Sequence, residues 1–188
     1  LEASDELPAR GVEHRSDVPL GVMVETPAAA IGADILAPEV AFFSIGTNDL
    51  VQYTLAVDRG NVNLAERFTP LHPSVLRLIR RTVQAGTAAG LDVAVCGEMA
   101  SQPLMAFALI GLGVRQLSVG AQSVALVKRV IRGISVDVAR AASESRPARH
   151  AAAGRRWTPA GAPARAPRRS PRRGAPRDPG AAPASGPR

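Results

Sequence analysis

The chain has 188 residues, 46% of them apolar but only 3% aromatic, which suits one domain with an aliphatic core plus an extension. A single cysteine, Cys96, excludes an intramolecular disulfide and fits a reducing, cytoplasmic setting, and no apolar run approaches the roughly 18 residues of a membrane span. The formal charge of +7 is unevenly placed: residues 1–145 hold 12 Lys and Arg against 15 Asp and Glu, net −3, whereas residues 146–188 hold 11 Arg and one acid, net +10.

The first residues, LEASDELPARGVEHRSD, are polar and acidic and do not read as a secretory leader. LGVMVET (20–26) is a short, β-branched run that predicts a buried strand. PAAAIGADILA (27–37) opens on proline and continues with apolar residues at helical spacing. VAFFSIG (40–46) predicts a second buried strand, and the polar segment that follows it reads as a loop. HPSVLRLIRRTVQAGTAAG (72–90) predicts an amphipathic helix with Pro73 near its start, a stripe of Val75, Leu76, Ile79 and Val83, and Gly90 as its stop. LDVAVCG (91–97) is a third strand, QPLMAFALIGLG (102–113) a helix, RQLSVG (115–120) a short fourth strand, and AQSVALVKRVIRG (121–133) and SVDVARAAS (135–143) two further helices. The remainder, from residue 146, is rich in Pro, Arg, Ala and Gly, with Trp157 its one large apolar residue. It cannot bury enough surface to offset chain entropy, so disorder is expected over 146–188. That basic tail lacks interleaved aromatic residues for base stacking and the remainder is acidic, which argues against a nucleic-acid role.

Four successive strand–helix units predict an α/β fold with a parallel sheet. They correspond to half of an eight-unit TIM-type barrel, with a small open α/β sheet as the alternative. Ligands in such folds bind at the carboxyl ends of the strands. Those ends carry Glu25; Asn48 and Asp49; and Cys96 with Glu98. Singly, each has an ordinary explanation: Glu25 or Asp49 as a helix cap, Cys96 as a small buried hydrophobe, Arg59 as surface. Jointly, two carboxylates without clustered His or Cys suit a hard divalent cation such as Mg²⁺. Asn48 and Arg59 can donate hydrogen bonds to phosphate oxygens, and Cys96 can exchange a proton with a reacting carbon. This is a layout for phosphoryl transfer from a small anionic substrate.

SIGTNDLVQYTLAVDR (44–59), VMVETPAAA (22–30) and VCGEMAS (95–101) together resemble the substrate barrel of the phosphoenolpyruvate-utilising enzymes. The resemblance covers about residues 7–140. YTLAVDR and CGEMA are more similar to the phosphoenolpyruvate-protein phosphotransferases of the bacterial sugar phosphotransferase system than to the pyruvate phosphate dikinases and phosphoenolpyruvate synthases. It implies Glu25 and Asp49 as Mg²⁺ ligands, Asn48 and Arg59 as substrate and phosphate contacts, and Cys96 as the acid that protonates C3 of the enolate. It also implies phosphoenolpyruvate and pyruvate as substrate and product, a phosphocarrier protein as partner, and a homodimer in the intact family enzyme. None of His14, His72 or His150 has the context of the family's phosphorylated histidine, which lies in a separate N-terminal region together with the first half of the barrel. On this resemblance residues 1–145 are a partial barrel, and a non-catalytic remnant is the other reading. The sequence departs from the family pattern at Ala41, at Ser101 and Gln102, and at Val119 and Gly120.

Overall fold

A computed structural model describes residues 2–15 and 17–144; the segment expected to be disordered, 146–188, lies outside the described residues. The expected α/β alternation is present. Helix α1 (Glu2–Ala9) precedes β1 (Val22–Val24), α2 (Pro27–Ile31), α3 (Ala33–Leu36), a 3-10 turn (Ala37–Glu39), β2 (Phe42–Gly46) and α4 (Thr47–Leu55). A second 3-10 turn (Ala65–Arg67), α5 (Pro73–Ala88), β3 (Asp92–Cys96), α6 (Glu98–Ser101), α7 (Pro103–Gly111), β4 (Gln116–Leu117), α8 (Ala121–Arg132) and α9 (Val136–Glu144) follow.

The four strands form one sheet in the order β1-β2-β3-β4, every neighbouring pair parallel. Each crossover therefore advances in the same direction. A barrel wall requires that progression, whereas a doubly wound sheet reverses it at a switch point. The register aligns Val24 with Ile45 and Ile45 with Val95, and Phe43 with Val93. These alternate residues are buried. Phe43 and Val93 face α5, whose Gly86 is so close to both that a Cβ there would collide with Val93 Cγ2. The opposite face carries Met23, Ser44, Ala94 and Cys96, none of them buried, because strand side chains alternate with a period of two.

Helix α5 shows how the sequence sets the packing. His72 caps it, its Nδ1 accepting the Ser74 N–H at 3.2 Å, and Pro73 occupies the first turn where no intrahelical donor is lost. Val75, Ile79, Thr82, Val83 and Gly86 form the buried stripe, and full burial of a side chain such as Ile79 contributes about 2 kcal/mol. Gly90, at φ +72°, ends it, with the Leu91 N–H returning to the Gly86 carbonyl at 2.8 Å.

Three segments depart from the sequence reading. The helix expected over 27–37 breaks at Gly32, whose carbonyl accepts from Ile35 and Leu36 and restarts the chain as α3. The fourth strand is confined to two residues. The segment after β2, expected as a loop, is helical from Thr47 to Leu55, so Asn48 and Asp49 belong to the first turn of α4. The apolar positions of that helix, Leu50 and Val51, are buried, and this burial outweighs the weak helix propensity of Thr, Asn and Asp.

Candidate active site

Glu25 directly follows β1, and Thr26 caps the next helix, its hydroxyl accepting the Ala29 N–H at 3.2 Å. The cap is therefore not Glu25. Its carboxylate lies instead over the end of β2, where an added Cβ on Gly46 would stand 2.9 Å from Glu25 Oε2 and 3.1 Å from Met23 Sδ. Only glycine permits that approach. Asp49 sits in the first turn of α4, where the helix dipole favours an acid, and makes no side-chain hydrogen bond there. Among the described residues, neither the Glu25 nor the Asp49 carboxylate has a hydrogen-bond or ion-pair partner, although both are partly buried. Two unpaired carboxylates at adjacent strand ends fit a divalent cation that takes its remaining ligands from water and a phosphorylated substrate. No group of three or more His, Cys, Asp or Glu that could hold a metal occurs among the described residues, so a cation at this pair would need further ligands from outside that set.

Cys96 ends β3 in register with Gly46 and is partly exposed. Its Sγ is 3.6 Å from Ser44 Oγ, 3.5 Å from the Ile45 carbonyl and 3.7 Å from Met23 Sδ. The thiol thus lies on the sheet face away from α5, on the side of Met23 and Ser44. Beyond it, Gly97 adopts φ +99°, and a Cβ there would approach Thr47 Oγ1 to 2.5 Å and Asn48 Oδ1 to 3.0 Å. Two hydrogen bonds flank that glycine. The wholly buried Thr47 donates its hydroxyl to the Cys96 carbonyl at 2.8 Å, and Asn48 Oδ1 accepts the Glu98 N–H at 3.1 Å. Because the Asn48 oxygen is engaged, its NH₂ group remains as the donor end of that side chain. A cavity of about 240 Å³ adjoins it, lined by Asn48, Glu98 and Gln102 above Val51, Phe68 and Met99.

Glu25, Asn48, Asp49 and Cys96 therefore share one end of the sheet. Arg59 lies farther along the chain, past the left-handed Ala56 that closes α4, and is exposed. The Gln52 side chain accepts its backbone N–H at 3.3 Å, and its guanidinium has no partner among the described residues. Sequence reasoning missed Thr47, Met23 and Ser44. The period-two alternation held the signal for the last two: Met23 lies two residues before Glu25, and Ser44 two before Gly46.

Residues 1–136 match the family described as PEP-utilising enzyme, PEP-binding domain, and the chain belongs to that family. Within it, the chain is similar to phosphoenolpyruvate-protein phosphotransferases. It is 44% identical over 140 residues to that of Haemophilus influenzae, and 44% identical over 135 residues to that of Staphylococcus epidermidis. These alignments cover 74% and 72% of the chain but 24% of each relative, so the chain spans about a quarter of the length of the curated relatives it matches.

Proposed function

We propose that the chain supplies the second half of a phosphoenolpyruvate-binding barrel and, with it, the metal and proton-transfer residues of a phosphoenolpyruvate-protein phosphotransferase. The observation that carries this reading is the convergence of two unpaired carboxylates, an oriented amide and an accessible thiol on one rim of a parallel sheet, within sequence similar to those enzymes. Glu25 and Asp49 hold Mg²⁺, which supplies charge neutralisation for the phosphate and the developing enolate. Asn48 and Arg59 bind and orient the phosphoryl oxygens. The bond between phosphorus and the enol oxygen breaks, and the phosphoryl group passes to a histidine nitrogen on a region outside this chain and thence to a phosphocarrier protein. The enolate left behind takes the Cys96 thiol proton at C3 to give pyruvate, and the thiolate recovers a proton from water. The same-direction strand order and the partly exposed sheet face support barrel closure by further strands, and the intact assembly is a cytoplasmic homodimer. No helix among the described residues is long and apolar enough to cross a membrane.

The test is a fusion of this chain to the upstream portion of the Haemophilus influenzae relative. The fusion is expected to convert phosphoenolpyruvate to pyruvate in a Mg²⁺-dependent reaction. Cys96→Ala should lower pyruvate formation by about 10²-fold or more while leaving Mg²⁺ binding intact. Arg59→Ala should chiefly impair phosphoryl transfer. A Cys96→Ala fusion that makes pyruvate at the parent rate overturns the role of the thiol, and an inactive but folded parent fusion counts against the whole reading.

A further inference from the structure

We infer that Thr47 is a positioning residue for Cys96: its hydroxyl bridges the β2–β3 boundary, fixes the Cys96–Gly97 peptide and so fixes the place of the thiol. Its bearing on catalysis rests on the reading of Cys96 as proton donor.

Among the described residues two polar side chains are wholly buried, Thr47 and Thr82. Burying a hydroxyl is costly unless it is hydrogen-bonded, so each must have a partner. They find it differently. Thr82 donates to the Leu78 carbonyl at 3.0 Å, one turn back in its own helix, and that bond ties nothing else down. Thr47 donates to the Cys96 carbonyl at 2.8 Å, 49 residues away in the chain, and ties two elements together. The location is specific. Gly46 and Cys96 are the last paired residues of β2 and β3, and at residue 47 the backbone of β2 turns into α4. The hydroxyl takes the carbonyl at the point where the β2–β3 ladder stops. Asn48 adds the second bond of the clamp, accepting the Glu98 N–H on the far side of Gly97. The glycine between them leaves no room for a Cβ, 2.5 Å from Thr47 Oγ1, so the contact is tight as well as directed.

The consequence falls on the thiol. Cys96 Sγ sits among Ser44 Oγ, the Ile45 carbonyl and Met23 Sδ only while its own backbone stays in place. Delivery of a proton to carbon is sensitive to position, and a displacement of about 1 Å can cost about 10²-fold in rate. Freed from Thr47, the Cys96–Gly97 peptide can turn at the glycine, the residue least able to resist.

Cys96 is the chain's only cysteine, so its alkylation by iodoacetamide reports this position alone. The experiment compares the 188-residue chain with Thr47→Val, Thr47→Ser and Thr82→Val at one pH, with thermal unfolding followed in parallel. Both valine variants lose a buried hydroxyl and both should unfold at lower temperature. Only Thr47→Val should change the alkylation rate, by about fivefold or more, the equivalent of about one hydrogen bond. Thr47→Ser, which keeps the donor, should restore the parent rate to within about twofold. Where Thr47→Val does not fold, Gly97→Ala drives a methyl against the same hydroxyl and should produce the same shift. A parent-like rate in Thr47→Val or Gly97→Ala overturns the inference, and so does an equal shift in Thr82→Val. These rates are read without substrate. If Cys96 proves not to be the proton donor in the fusion, the clamp still stands or falls on its own measurement.

Discussion

Glu25 and Thr26 are adjacent, and their roles separate cleanly. Thr26 accepts the Ala29 N–H and completes the start of α2, whereas the Glu25 carboxylate leans over Gly46 with no partner among the described residues. Removing the cap in Thr26→Ala should destabilise the chain by about 1 kcal/mol, with Mg²⁺ still raising the unfolding temperature. Glu25→Ala should barely alter stability in metal-free buffer and should lose most of the stabilisation by Mg²⁺. Differential scanning fluorimetry with and without Mg²⁺ distinguishes the two, and equal Mg²⁺ responses in both variants would remove Glu25 from the metal site. Asp49→Ala should behave as Glu25→Ala does, since a single carboxylate seldom holds Mg²⁺ without substrate phosphate. Ala56 is the other residue whose conformation sets an expectation. It closes α4 at φ 51°, ψ 45°, a left-handed geometry that glycine adopts freely and alanine does not. Ala56→Gly should stabilise the chain by up to about 1 kcal/mol, measured by thermal or urea unfolding.

Among the elements, α9 packs chiefly against α7, and one glycine governs that contact. Gly111, at the end of α7, packs directly against the backbone of α9: a Cβ there would collide with the Ala139 carbonyl and the Ser143 hydroxyl. Further ties include the buried Ala139, the Arg80 guanidinium donating to the Ser143 carbonyl at 3.1 Å, and the Ser143 hydroxyl donating to the Ala108 carbonyl at 3.4 Å. Backbone cannot yield to a methyl as a flexible side chain can, so Gly111→Ala should detach α9 while leaving the sheet intact. Hydrogen exchange should then accelerate over residues 136–144 and stay slow over β2 and β3; uniform acceleration would mean that α9 is integral to the core. Elements of this kind were legible in the sequence to differing degrees. The long amphipathic α5, with Pro73 at its start and Gly90 at its end, follows from its periodicity, and the strands follow from their apolar runs. Helix α4 does not, because Thr47, Asn48 and Asp49 favour turns locally and only the tertiary burial of Leu50 and Val51 draws them into a helix. The break at Gly32 was equally hidden, since PAAAI and ADIL continue one apolar period across it. At the candidate site, the strand-end rule put Glu25, Asp49 and Cys96 at one end of the sheet, where the structure has them, yet nothing in the residue string revealed that Thr47 reaches across to the Cys96 carbonyl. That bond depends on the register of two strands about 50 residues apart, and a single sequence does not encode register legibly.

At the scale of the molecule, the sheet has two free edges among the described residues: β1 has no strand beyond it and neither has β4. Unpaired edges are templates for further pairing. Apolar surface accompanies both. Leu20, just before β1, is 73% exposed and Met23 within it 45%. Beside β4 an apolar cavity of about 350 Å³ opens between Val114, Leu117, Val119, Val124, Val127 and Ile131. On the proposed half-barrel reading, further strands would cover both edges and the apolar surface beside them. The 188-residue chain should therefore self-associate, and sedimentation velocity should show an average mass that rises with concentration. The basic segment 146–188 offers a competing cause, because its net charge of +10 could attract the acidic remainder of a second copy. Salt separates the two. Charge-driven association weakens as ionic strength rises and the Debye length shortens from about 10 Å at 0.1 M to about 3 Å at 1 M, whereas burial of apolar edges does not weaken. Association that persists or strengthens in high salt, and that falls when the upstream portion of the Haemophilus influenzae relative is supplied in trans, is the expected result. A monomer that unfolds cooperatively at every concentration would show instead that these edges and the cavity beside β4 need no partner at all.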